Sequence, residues 1–123
     1  MTHPELAGKH VLVVEDELMV ALMVEDVLAE AGCIVVGPFA RVPAALAAAE
    51  AEAVDVALLD VNVAGEMVFP VALALEARNV PFLFLTGYGQ AALPRDRPDW
   101  EACAKPFGAE QLISCLARKL NAA

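Results

Sequence analysis

The chain has 123 residues and a formal net charge of −9, with 59% hydrophobic and 20% charged residues. That size fits one domain, expected over 1–123 with a core from about 9 to 120, and that composition excludes a disordered chain. The acidic balance excludes non-specific nucleic-acid binding, which needs clustered Lys and Arg, so no direct nucleic-acid partner is expected.

The first residues contain no apolar core of the kind a secretory signal needs. Apolar runs such as Val11-Leu12-Val13-Val14 are far too short to span a bilayer, so no membrane partner is expected and a cytoplasmic location follows. Cys33, Cys103 and Cys115 are odd in number and form no C-x-x-C pair. They read as small apolar residues in a reducing compartment, not as a disulfide framework or a zinc site.

Val11 to Val14 is the first continuous apolar run. A helical pattern follows over 17–31, closed by Gly32 at the C′ position. On it Leu18, Leu22 and Leu28 are expected to face the sheet, with Met19, Met23 and Val27 on another stripe. Ile34-Val35-Val36 is a second run, and an Ala-rich helix is expected over 43–51, with Pro43 near its start. A third run covers 54–59, followed by a helix over 68–78 with Pro70 in its first turn.

Phe82-Leu83-Phe84-Leu85 is the fourth run and Cys103-Ala104 a weak fifth. Between them Gly87, Gly89, Pro94 and Pro98 leave only 90–93 free of Gly and Pro, too little for a stable helix. The last helix is expected over 109–120, where Leu112, Leu116 and Leu120 recur every four residues. Runs without alternation suit strands covered on both faces, and five strand–helix alternations predict an α/β fold with a doubly wound parallel sheet.

Ligands of such sheets lie beyond the carboxyl ends of the strands. Glu15-Asp16, Asp60, Thr86 and Lys105-Pro106 stand at four of those ends. Taken singly, each has an ordinary explanation: a helix cap for Asp16, a turn cap for Asp60, turn chemistry for Thr86 and a solvated surface charge for Lys105. Taken together, three carboxylates on one edge call for a cation among them. A hard divalent ion with oxygen ligands fits: Mg²⁺, or Mn²⁺. A carboxylate can accept a phosphoryl group as an acyl phosphate, and the ion, an ammonium and a hydroxyl would neutralise the phosphoryl oxygens.

The ordered set Val11-Leu12-Val13-Val14-Glu15-Asp16-Glu17, Leu58-Leu59-Asp60, Thr86-Gly87 and Lys105-Pro106-Phe107 resembles the receiver domains of bacterial two-component response regulators. The resemblance implies a flavodoxin-like (βα)5 fold with strand order 2-1-3-4-5, its fourth helix here short, displaced or mobile. It implies a phosphorelay protein in which Asp60 is the phosphoacceptor and Asp16, Asp60 and the backbone carbonyl of Asn62 hold the metal, with Glu15 acting through water. Thr86 would hydrogen-bond the phosphoryl group, and Lys105 would pair with Asp60 and then with the phosphoryl oxygens. The Lys105–Pro106 bond is often cis in this family. The implied partners are a histidine kinase or histidine phosphotransfer protein, docking on the helix that carries Met19, Leu22 and Met23, and an unknown downstream protein. Such a chain is not an enzyme, apart from catalysing its own Asp phosphorylation and dephosphorylation.

Residues 81–89 are similar to a subgroup of single-domain regulators with a Phe-x-Thr-Gly signature, common in alphaproteobacteria. Three departures stand out. Ala102 occupies the position where many receivers carry a switch aromatic, Tyr88 is the chain's single tyrosine and is expected to take over sensing or shielding, and Ala64 stands where many have Pro. Only Asn121-Ala122-Ala123 follow the last helix, so no output domain is expected and action through partners follows. One rival reading is a haloacid-dehalogenase-type phosphohydrolase, although Asn62 stands where that family has its acid. Another is a degenerate receiver-like binding module, although the acids and the lysine are all present.

Overall fold

The computed structural model describes residues 4–105 and 108–122. The apolar runs form five parallel strands: β1 (His10–Val14), β2 (Ile34–Phe39), β3 (Val56–Asp60), β6 (Phe82–Thr86) and β7 (Ala102–Ala104). Their order is β2-β1-β3-β6-β7, which is 2-1-3-4-5 when the sheet's own strands are counted. A separate antiparallel hairpin, β4 (Asn62–Val63) and β5 (Glu66–Met67), follows β3 and was not foreseen.

Alternate side chains of each strand enter different cores, which is why the runs show no polar alternation. Leu12, Val14, Ala57, Leu59, Phe82 and Phe84 meet α2 (Val42–Ala51) and α3 (Phe69–Ala77) on one face. Val11, Val13, Val56, Leu58, Leu83, Leu85 and Cys103 meet α1 (Leu18–Glu30) and α4 (Ala109–Ala122) on the other. The doubly wound α/β architecture is therefore present. Gly37 is required where β2 passes β1: its φ is +107°, and a Cβ there would lie 2.9 Å from the Val13 carbonyl oxygen.

The inward face of α1 differs from expectation. Ala21, Val24 and Leu28 are its buried residues, whereas Leu18 and Leu22 are exposed. The i, i+3, i+7 set with a small residue at its head lets the helix lie close to the sheet, and it turns Leu18 and Leu22 outward beside Met19 and Met23. The cis X-Pro bond among the described residues is Gly37–Pro38, while the Lys105–Pro106 bond lies outside them.

The segment after β6 contains only a 3₁₀ turn, Gly89–Ala92, as its Gly and Pro content requires. It is nonetheless anchored. Trp100 is 4% exposed and packs at 5.3 Å from Phe84, 5.6 Å from Phe82 and 5.9 Å from Phe69, measured between ring centroids. Its indole N–H donates to Glu76 Oε2 at 3.2 Å, and Arg97 donates to Glu76 Oε1 at 2.6 Å. The Arg97 guanidinium lies 5.0 Å from the indole centroid. Trp100 and Arg97 together hold the Glu76 carboxyl below its ordinary pKa. The Gln90 amide brackets the free side of β7, donating to the Trp100 carbonyl and accepting from the Ala102 N–H.

Candidate functional site

Parallel strands end on one edge, and the register brings their next residues level. Val14 pairs with Leu59, so Glu15 comes beside Asp60. Asp60 pairs with Leu85, so Thr86 follows one position on, and Thr86 pairs with Ala104, so Lys105 follows in turn. Glu15, Asp16 and Asp60 have carboxylate oxygens within 4.8 Å of one another.

Glu15 is 2% exposed, the most deeply buried of the three. A carboxylate removed from water needs donors. Lys105 Nζ donates to Glu15 Oε2 at 2.9 Å, and the Glu17 N–H donates to Oε1 at 3.2 Å. Lys105 Nζ stands 3.7 Å from Asp60 Oδ2, outside hydrogen-bond range. The expected ion pair of Lys105 with Asp60 is present at 3.7 Å, and Glu15, more deeply buried, is the ammonium's closer partner at 2.9 Å.

Asp60 is left with less compensation than its setting calls for. Burial, followed by the hydrogen bond and charge of neighbouring Glu15, pushes its carboxyl up to about 7, against the opposing pull of Lys105 and the Val61 N–H. For Lys105, burial alone would depress the ammonium. The hydrogen bond and charge of Glu15, with Asp60 and Glu17 behind it, outweigh that and hold its pKa above the ordinary value.

Asp16 is exposed, and it does not cap α1: the helix has no side-chain cap, and Asp16 Oδ2 accepts the Ala64 N–H at 2.9 Å. Ala64 occupies the tight turn between β4 and β5 with φ +51°, and Gly65 follows at +86°. Two successive positive φ values match the twist of a short hairpin. Proline could neither adopt that φ nor offer the N–H, so the residue that departs from the common receiver pattern is the one that steadies Asp16.

Thr86 is buried, and its Oγ1 accepts the Tyr88 N–H at 3.1 Å. The Tyr88 side chain is 84% exposed at this rim. The Asn62 side chain is used locally, Oδ1 accepting the Gly65 N–H at 3.1 Å. It is thus engaged in the turn, and as an amide it has no acidic proton to give as the second acid of a phosphohydrolase. Met19, Leu22 and Met23 lie exposed on α1, which begins directly after the carboxylates.

The donor set fits a hard divalent cation: three carboxylates converge where, among the described residues, the Lys105 ammonium supplies the nearby positive charge, and burial followed by the proximity of Glu15 raises the Asp60 pKa there. Asp16 and Asp60 are the carboxylates best able to hold the ion, because both Glu15 oxygens already accept hydrogen bonds.

Residues 11–117 match the model of the family described as the response regulator receiver domain. No curated protein matches the chain. Among solved structures, that of SdrG from Sphingomonas melonis Fr1 is 36% identical, with 93% of this chain and 97% of that one covered and a TM-score of 0.80. The BeF3-activated conformation of SdrG, from Pseudomonas melonis Fr1, is 38% identical over 93% and 98% of the two chains, with a TM-score of 0.77. The receiver domain of sensor histidine kinase PA1611 from Pseudomonas aeruginosa PAO1, with a magnesium ion coordinated in its active site cleft, is 27% identical over 94% and 99%, with a TM-score of 0.77.

Proposed function

The chain belongs to the response regulator receiver family, and on that footing we propose that it accepts a phosphoryl group on Asp60 from a phosphohistidine donor. The observation that carries the proposal is the convergence of Glu15, Asp16, Asp60 and Lys105 at one strand edge, with Thr86 on the adjoining strand end.

In this reading an Asp60 oxygen attacks phosphorus, the P–N bond breaks, and the imidazole leaves with the bonding pair. Lys105 Nζ, already 3.7 Å from Asp60, moves from the carboxylate pair onto a phosphoryl oxygen. The Thr86 hydroxyl donates to another. Mg²⁺ or Mn²⁺, held by Asp16, Asp60 and the Asn62 backbone carbonyl with Glu15 acting through water, would supply charge neutralisation at the transferring group. The acquired charge of roughly −1.5 to −2 would then bias the Thr86–Tyr88 loop between two arrangements.

Incubation with a phosphorylated histidine kinase or phosphotransfer protein and Mg²⁺ is expected to label the chain once, with the label mapping to Asp60. A label on another residue, or continuous turnover of phosphoesters, would sink the proposal. The exposed stripe Met19, Leu22 and Met23 is the docking surface for the donor. Met23→Glu should therefore slow transfer from the protein donor but not from a small acyl phosphate. Tyr88→Ala should change the lifetime of the label if the ring senses or shields the phosphoryl group. Equal rates in the variants and the parent chain count against these two assignments.

Metal binding carries its own signature. With the Asp60 carboxyl at about 7, a proton competes with the cation below that pH. Mg²⁺ affinity, followed by calorimetric titration, is expected to rise up to about tenfold per pH unit below neutrality and to level off above it. A flat profile from pH 5 to 8 would remove Asp60 from the ligand set.

A further inference from the structure

Cys103 and Cys115 have no part in the chemistry above. Cys103 lies on β7 and Cys115 on α4, and their sulfur atoms are 3.6 Å apart, the Cys115 thiol donating. Both are free thiols. A disulfide needs about 2.05 Å between sulfurs, so the two sulfurs must close by about 1.5 Å to form one. The backbones are held in place for it: Leu112, Ile113 and Leu116 of α4 share one buried cluster with Cys103, and Cys115 packs against that cluster.

The two sulfurs are not equivalent. Cys103 is 4% exposed, and burial followed by its contact with Cys115 pushes its thiol up to about 11. Cys115 is half-buried and reachable from solvent. Arg118, three residues further along α4, opposes that rise at Cys103 but is outweighed by burial and by Cys115.

We propose that Cys103 and Cys115 form a reversible dithiol–disulfide site that reacts with hydrogen peroxide or an organic hydroperoxide. The Cys115 thiolate attacks one peroxide oxygen, the O–O bond breaks, and water or an alcohol leaves after taking up a proton. Sulfur has then lost two electrons to the peroxide and stands as a sulfenic acid. The Cys103 sulfur attacks the Cys115 sulfur, the S–O bond breaks, and the hydroxide departs as water with the Cys103 proton. The bond formed joins α4 covalently to the strand whose next residue is Lys105.

The test treats the whole chain with hydrogen peroxide, unfolds it, alkylates the remaining thiols and measures the intact mass. The expected product has lost a pair of hydrogen atoms, alkylates at Cys33 alone, and returns to three alkylated cysteines after dithiothreitol. Cys33→Ser should form the same bond, and this variant leaves both sulfurs of the pair in place. Cys115→Ser should not form it. Sulfinic acid at Cys115 with Cys103 still alkylated, covalent dimers through Cys33, or three unreacted thiols would each overturn the assignment.

Discussion

Asp60→Asn is expected to abolish phosphoryl labelling and, in the metal-free protein above neutral pH, to raise the melting temperature. The first effect follows from chemistry: an amide of the same shape has no nucleophilic oxygen at this pH. The second follows from the environment. The Asp60 carboxyl stands at about 7 in the fold, against an ordinary 3.8, because it is buried beside Glu15. A raised pKa means that the folded chain binds the proton more tightly than the unfolded chain does. That contribution is fully present below the ordinary value and is lost as pH rises through about 7.

At pH 8 the parent chain therefore carries an unfavourable charge that the amide lacks. Solvent reaches Asp60 and Lys105 lies near it, so after discounting for screening the gain is about 1 kcal/mol, or roughly 4 °C. Thermal melts at pH 5 and pH 8 would measure it, the difference between variant and parent being larger at the higher pH because the loss begins above 3.8 and is complete only past about 7. A lower melting temperature at pH 8 would mean that the attraction of Asp60 for Lys105 outweighs its repulsion from Glu15. Persistent labelling of the variant would place the acceptor elsewhere.

Trp100→Ala is expected to lose about 3–5 kcal/mol in urea unfolding, the cost of deleting a large buried aromatic. Trp100 closes a cluster with Phe69, Phe82 and Phe84 and satisfies one Glu76 oxygen. Its removal would leave a cavity over β6 and free the segment that follows that strand. Trp100→Phe should recover most of the packing while leaving Glu76 with Arg97 as its donor. A loss under about 1 kcal/mol for the alanine variant would contradict the buried position of the indole.

The central strands β1, β3 and β6 were legible because they are buried on both faces, and burial writes an uninterrupted apolar run such as Val11 to Val14. The site was legible for the same reason: once parallel strands were placed, topology forced their carboxyl-end residues together. What escaped depends on contacts that cross the sequence without periodicity. The two-residue strands β4 and β5 are too short to carry a pattern, and their turn uses Ala64 at a positive φ, where Gly or Asn would have been a clearer signal. Ala-Gly at 64–65 was a weak clue.

The side of α1 facing the sheet was misassigned because Leu, Met and Val occupy most of its circumference, so a stripe through Leu18 and Leu22 looked as apolar as the one through Ala21 and Val24. Small Ala21 marked the close-packed side. The preference of Lys105 for Glu15 over Asp60 rests on degrees of burial, which residue types alone do not encode.

Gln90 has a consequence beyond the fold of its own segment. A sheet whose last strand is three residues long ends in peptide groups that face outward, and such groups can pair with another chain. The carboxamide of Gln90 has the donor and acceptor of a peptide unit, and it occupies the Trp100 carbonyl and the Ala102 N–H on that side. One side chain thus stands in for a rung of a further strand. It guards the sheet against intermolecular strand addition at the border where this chain has no full helix after β6 to cover it.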